Sequence, residues 1–175
     1  KSLRTAFDAG ILAGASITIR DNASSRRYRE QLTARHRAPA RDVPAWLDWR
    51  LQLGDDNPGF GAAHNAVQGP QSTPFLLILN PDVELHADAI GAALHYLRTQ
   101  ADAVAVNPRC QRPDGSREYL CKRFPSVADL LLRGFAGSGL RVRFDGRLAR
   151  YEYRDLVDGR EHEVELLSGA CLLCR

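Results

Sequence analysis

Apolar positions along this chain fall into short runs separated by polar, turn-forming residues, and the runs change period from one to the next. Leu3 to Leu12 reads as the end of an amphipathic helix, followed by a strand, Ser16 to Arg20. Ser24 is expected to start a polar helix to about Arg37. A Pro- and Trp-containing connection, Ala38 to Trp49, then leads to a short strand, Arg50 to Leu53. The Gly59–Gly61 turn opens a helix of small residues to about Val67, and Phe75 to Leu79 is a continuous apolar strand. In the next helix, Ala87 to Gln100, the residues Ile90, Ala93, Leu94 and Leu97 share one face, which predicts a core stripe. Strand Ala103 to Asn107 follows, then a hairpin around Pro113-Asp114-Gly115, and a last strand within Ser168 to Cys174. Helices alternating with apolar strands predict an α/β fold whose sheet is mostly parallel and covered on both faces.

The candidate chemistry begins at Leu77–Val83, LILNPDV. Proline cannot donate to a sheet ladder, so the apolar strand stops at Asn80-Pro81 and Asp82 stands at its carboxyl end. In open α/β sheets ligands bind at the carboxyl ends of strands. A carboxylate there suits a hard cation, Mg²⁺ or Mn²⁺, carrying a diphosphate. The competing reading makes Asp82 a helix cap.

Asp82 has company. Upstream lie Ile17-Thr18-Ile19-Arg20-Asp21-Asn22-Ala23-Ser24 and Asn57-Pro58-Gly59-Phe60-Gly61-Ala62-Ala63-His64-Asn65-Ala66. Downstream come Asp114-Gly115-Ser116, Arg123-Phe124-Pro125-Ser126 and Leu167-Ser168-Gly169-Ala170-Cys171-Leu172-Leu173. In this order and spacing the set resembles family 2 glycosyltransferases of the GT-A fold, a Rossmann-like nucleotide-diphospho-sugar transferase architecture. Its rhamnosyltransferase-like branch, which builds bacterial polysaccharide, is the most similar. The resemblance runs from about Leu3 to Arg175.

Composition narrows this picture only a little. With 175 residues, 44% of them hydrophobic, a single domain over 1–175 can fill one core. No run reaches the roughly 18 apolar residues that span a bilayer. The 24 basic residues, all arginine except Lys1 and Lys122, exceed the 21 acidic ones by three. Arg20 to Arg50 is locally basic and reads as a solvated helix and loop, with an anionic membrane surface or nucleic acid as the alternative contact. Of the four cysteines, Cys171 and Cys174 have CxxC spacing, but Cys110 and Cys121 do not form a second close pair for zinc. On a strand, Cys171 and Cys174 would also face opposite ways, so buried free thiols are expected.

The resemblance implies roles for individual residues. Asp21, with Asn22 beside it, would accept a hydrogen bond from the N–H of a uracil or thymine ring. Asn57, Gly59, Gly61 and Asn65 would approach the nucleotide sugar, the glycines by allowing close backbone approach and the following helix by aiming N–H groups at oxygens. His64 is as readily a packing residue. Asp82 would hold the metal; relatives often carry Asp where this chain has Asn80. Ser168 and Gly169 would lie on the acceptor side. No mechanistic role follows for Arg123 and Phe124, which can equally tie a loop to the core.

The implied reaction is inverting, metal-assisted sugar transfer, with rhamnose the leading sugar. The donor is UDP- or dTDP-linked and the acceptor is a polysaccharide or lipid-linked glycan. No nucleic-acid partner is expected, and the place is the cytoplasm, with peripheral contact at the inner membrane face. The family's first strand and its catalytic Asp have no counterpart within 1–175, so no catalytic residue is assigned and the base is expected beyond Arg175. Asp155 and Asp158 lie too early to be that base. The chain is thus expected to be a core lacking the first strand and the carboxyl-terminal part, inactive by itself. A nucleotidyltransferase, or a non-catalytic nucleotide- or carbohydrate-binding domain of the same fold, stays open from the residues alone.

Overall fold

A computed structural model of the chain describes residues 1–37, 43–67, 73–135, 137–156 and 159–175. The elements in chain order are α1 (Ser2–Asp8), β1 (Ala15–Asn22), α2 (Arg26–Arg37), β2 (Leu47–Gly54), α3 (Phe60–Val67), β3 (Leu76–Leu79) and α4 (Ala89–Thr99). They continue as β4 (Ala105–Val106), β5 (Cys110–Gln111), β6 (Arg117–Glu118), α5 (Val127–Phe135), α6 (Ser138–Arg143), α7 (Asp145–Tyr151) and β7 (Cys171–Cys174). The fold is mixed α/β. Its contacts divide into two units, Lys1–Pro74 with Leu85–His95, and Phe75–Glu84 with Tyr96–Arg175.

In the first unit β1 and β2 pair in parallel, from Ala15 opposite Leu47 to Asn22 opposite Gly54, so both strands end at the same edge. Helix α3 packs on β1, burying Ala63, and α2 packs on β2. The α1 helix stops earlier than its apolar pattern suggests, because Gly10 turns left-handed (φ +69°) and the amides of Gly10 and Ile11 close back on Phe7 and Ala6. Phe7 stacks on Trp46 with ring centroids 4.5 Å apart. Buried Ser2 accepts the amide of Ile90 near the start of α4, at 3.2 Å. The expected stripe of α4 is observed: Ile90, Leu94 and Leu97 are buried and Ala93 is half-buried.

In the second unit β7 is the central strand, between β3 and β4. It runs antiparallel to both, with Leu79 opposite Cys171 and Val106 opposite Leu173. This corrects the expected mostly parallel sheet. Among the described residues the one parallel pairing is β1 with β2, and the strands form small separate sheets. Four-residue apolar runs such as LLIL and CLLC carry burial but no direction. The expected hairpin forms as β5–β6, its turn held by Gly115 at φ +82° and by Asp114 Oδ1 accepting the Ser116 amide at 2.8 Å. Cys110, Cys121, Cys171 and Cys174 are free thiols; along β7 burial alternates, so Cys171 is buried and Cys174 faces the other way, half-buried.

Helices α5, α6 and α7 pack on one another and bury Leu132, Leu148 and Tyr151. A reciprocal cap starts α5: the Ser126 amide donates to Asp129 at 2.8 Å, and the Asp129 amide donates back to Ser126 Oγ at 3.2 Å. Residues 38–42 of the expected Pro-rich connection, and Asp158, lie outside the described residues.

Candidate functional site

The carboxyl edge of the β1–β2 pair gathers three of the six buried side-chain polar atoms that have no partner among the described residues. Asp21, the penultimate residue of β1, is 3% exposed. Its Oδ2 receives Nε of Arg29 at 2.8 Å and the amide of Ser24 at 3.3 Å. Its Oδ1 is buried and has no hydrogen-bond partner. Burial opposes ionisation of this carboxyl, but hydrogen bonds from Ser24, then the hydrogen bond and charge of Arg29, outweigh it and hold the pKa below the ordinary value. The result is a buried carboxylate with one oxygen anchored and one without a partner.

Local backbone explains the geometry. Ala23 turns left-handed (φ +59°), a conformation that costs a residue with a Cβ about 1–2 kcal/mol. That turn returns Ser24 to Asp21, so α2 starts two residues later than expected and Ser25 takes the capping role, its Oγ accepting the Tyr28 amide at 3.4 Å. Arg29, one turn into α2, then faces back to the strand end and also reaches Asp55 at 3.3 Å. On the β2 side, Gly54 is required by close approach. A Cβ there would meet Nη2 of Arg20 at 2.6 Å and the Asp21 carbonyl at 2.8 Å. Arg20 Nε and Asn22 Oδ1, beside Asp21 in sequence, are likewise buried and unpartnered. The other three such atoms, in His36, Trp46 and Trp49, belong to stacked rings.

The loop after β2 leads into α3. Asn57 Oδ1 accepts the Gly59 amide at 3.2 Å, and Gly59 is left-handed (φ +86°). Asn57 therefore shapes the turn, and the Gly59 amide is committed to it. Gly61 lies in the first turn of α3 and Asn65 is exposed one turn on. His64 packs edge-on against Phe60 with centroids 4.4 Å apart, the packing role open to it from sequence.

The second unit brings Asp82 and the Ser168–Ala170 turn onto neighbouring backbone. The Asn80 amide donates to the Ala170 carbonyl at 2.9 Å, and Val83 closes a turn onto the Asn80 carbonyl at 3.3 Å. Asp82 is exposed on that turn. It caps no helix, because α4 begins only at Ala89. Asn107, just past β4, clamps the other side: its Oδ1 accepts the Ser168 amide at 2.7 Å, while its Nδ2 donates to the carbonyls of Ser168, at 2.9 Å, and Cys171. Ser168 Oγ in turn accepts the Ala170 amide at 3.2 Å, and Gly169 is half-buried between them.

Arg123 ties a loop to the core: its guanidinium lies 4.0 Å from the Tyr153 ring centroid and pairs with Asp155 at 3.1 Å. Asp155 is thereby engaged in structure. The Phe124 side chain is exposed while its amide donates to Glu165. Among the described residues no group of three or more His, Cys, Asp or Glu side chains is assembled for a metal. The Asp82 carboxylate is a hard oxygen donor exposed on its turn.

Three participants were not singled out from sequence. From sequence Arg29 belongs with the basic, solvated segment, Asn107 is the end of a strand, and Gly54 lies just past the strand Arg50 to Leu53. The one available signal was the repeated Asn-Pro pair, Asn80-Pro81 and Asn107-Pro108, each closing a strand. Comparison with models of protein families, with curated proteins and with solved structures gives no match.

Proposed function

We propose that the chain is a glycosyltransferase of the GT-A type, taking a sugar, rhamnose first among candidates, from a UDP- or dTDP-linked donor. The acceptor is a polysaccharide or lipid-linked glycan. The observation that carries this reading is Asp21, whose Oδ1 is buried without a partner while Arg29 and Ser24 fix Oδ2. Leaving a buried acceptor unmatched costs about 1–3 kcal/mol, a cost that a ligand donor removes. A uracil or thymine ring presents an N–H at N3; cytosine presents a lone pair there and would be repelled.

Each of the other residues has a separate task. Asn57 and Gly59 hold the turn that exposes the first amides of α3, which suit sugar or phosphate oxygens. Asn65 offers a side-chain amide one turn further along. Asp82 would hold Mg²⁺ or Mn²⁺, and the cation would offset the charge on the departing nucleoside diphosphate. Ser168 and Gly169, held by Asn107, supply the acceptor side. No general base is assigned among the described residues.

Calorimetric titration with UDP, dTDP, CDP and pyrophosphate tests the reading. Asp21→Ala should weaken UDP and dTDP by at least about tenfold, the loss of one hydrogen bond to a charged acceptor, and barely change pyrophosphate. CDP binding as tight as UDP, or equal losses for nucleotide and pyrophosphate, would refute base recognition by Asp21. Labelled donor then separates the reactions. Sugar transfer supports the enzyme.

A further inference from the structure

We propose that the arginine-flanked apolar face of α5 and α6 docks on an anionic phospholipid bilayer, the two helices lying in the plane of the headgroups. The proposal does not depend on the nucleotide reading. Of the twelve large apolar side chains exposed among the described residues, eight fall between Phe124 and Phe144. Leu132 of α5 turns inward and is buried, while Val127, Leu130 and Leu131 remain exposed; Phe135 is 87% exposed and, on α6, Val142 is 77% exposed. Concentrated apolar exposure of this kind marks an interaction surface. A groove of about 390 Å³ among these helices, lined by Leu131, Phe135, Leu140 and Phe144, offers room for acyl-chain ends.

The charge identifies the partner. Residues 124–147 contain four arginines, Arg133, Arg141, Arg143 and Arg147, and two aspartates, Asp129 and Asp145. Both aspartates are engaged: Asp129 is buried against Arg147 at 2.6 Å, and Asp145 pairs with Arg154 at 2.7 Å. The segment carries a net positive charge, which an anionic, amphiphilic surface complements. A second copy of the chain fits less well, because a two-fold contact would set this positive face against itself. Spanning is excluded by length: α5, with nine residues, is about 14 Å long, against a hydrocarbon core of about 30 Å. The helices must therefore lie flat.

Vesicle flotation of the chain tests this, using phosphatidylcholine alone and the same lipid with on the order of one-third phosphatidylglycerol. The variants are Phe135→Ser with Val142→Ser, and Arg143→Glu; all three side chains are exposed, and circular dichroism checks that each variant is folded. The wild-type chain should float with anionic vesicles roughly tenfold more than with neutral ones, and the double variant should lose about tenfold. Arg143→Glu, or added salt, should weaken binding several-fold. The proposal is overturned if the folded wild-type chain does not float, or if the double variant floats equally well. It is also overturned if the double variant abolishes a concentration-dependent dimer, seen by light scattering, in a chain that binds no vesicles.

Discussion

Replacing Arg29 by methionine removes the cation that pairs with the buried carboxylate of Asp21 while keeping most of the side-chain volume. The pair is tight, 2.8 Å, and asymmetric: the Asp21 side chain is 1% exposed and that of Arg29 24%. Breaking a fully buried ion pair costs about 3–5 kcal/mol; the partial exposure of Arg29 places this one below that range, at about 2–3 kcal/mol. The loss should depend on pH with a definite sign. In the native protein burial raises the Asp21 pKa, but Ser24 and Arg29 lower it further, so the folded value lies below the unfolded one. Such a group stabilises the fold above its unfolded value, about 3.9, and the contribution disappears as pH falls through the lower folded value. In Arg29→Met burial is opposed by Ser24 alone, so the folded pKa rises. The stability difference between the two proteins should therefore be full at neutral pH and shrink through the carboxylate range. Urea unfolding followed by tryptophan fluorescence is the assay of choice, because both tryptophans, Trp46 and Trp49, lie in the unit that contains Asp21. An equal difference at pH 7 and about pH 4 would show that Arg29 acts through packing alone, and would refute the electrostatic account.

Asp82→Asn should abolish most of the Mn²⁺-dependent gain in donor affinity and leave the urea midpoint unchanged, since the side chain is exposed on its turn; an unaltered metal dependence in titrations would remove Asp82 from the site. Asn107→Ala breaks the bonds to Ser168 and Cys171 and should cost about 2–3 kcal/mol, with Asn107→Asp between it and the wild type because the Ser168 amide keeps its acceptor. Thermal unfolding by circular dichroism checks the order, and a neutral Asn107→Ala would show that the clamp is not structural.

What the sequence made legible were features with a short-range physical cause. The core stripe of α4 follows from a period of 3.6, the β5–β6 turn from Asp114-Gly115, and the strand before Asn80-Pro81 from the missing amide of proline. Strand direction has no such local cause. β7 joins β3 and β4 after a connection that includes three helices, and nothing within CLLC encodes that it returns antiparallel. Arg29 stayed hidden for a related reason: its meeting with Asp21 depends on left-handed Ala23, a conformation alanine does not advertise. No element is expected from sequence over Val127–Phe135, where α5 forms; of Leu130, Leu131 and Leu132, Leu132 alone is buried.

The Asn-Pro-Asp triplet shows how one short motif divides its labour. The Asn80 backbone is bound to Ala170, so its amide extends the ladder one bond beyond β3. Pro81 then has no amide to give, and the ladder must stop. Asp82 falls on the next position, exposed, held in place by backbone on the strand side and by no helix on the other. The same device recurs at Asn107-Pro108, where the side chain of asparagine, rather than its backbone, binds the turn beside β7. Two strands that flank β7 are thus terminated by proline and tied to residues 168–171, which fixes the Ser168–Ala170 turn from both sides. A rigid turn next to an exposed carboxylate is a placement that hydrophobic packing alone does not require, since neither Asp82 nor Gly169 contributes to the core.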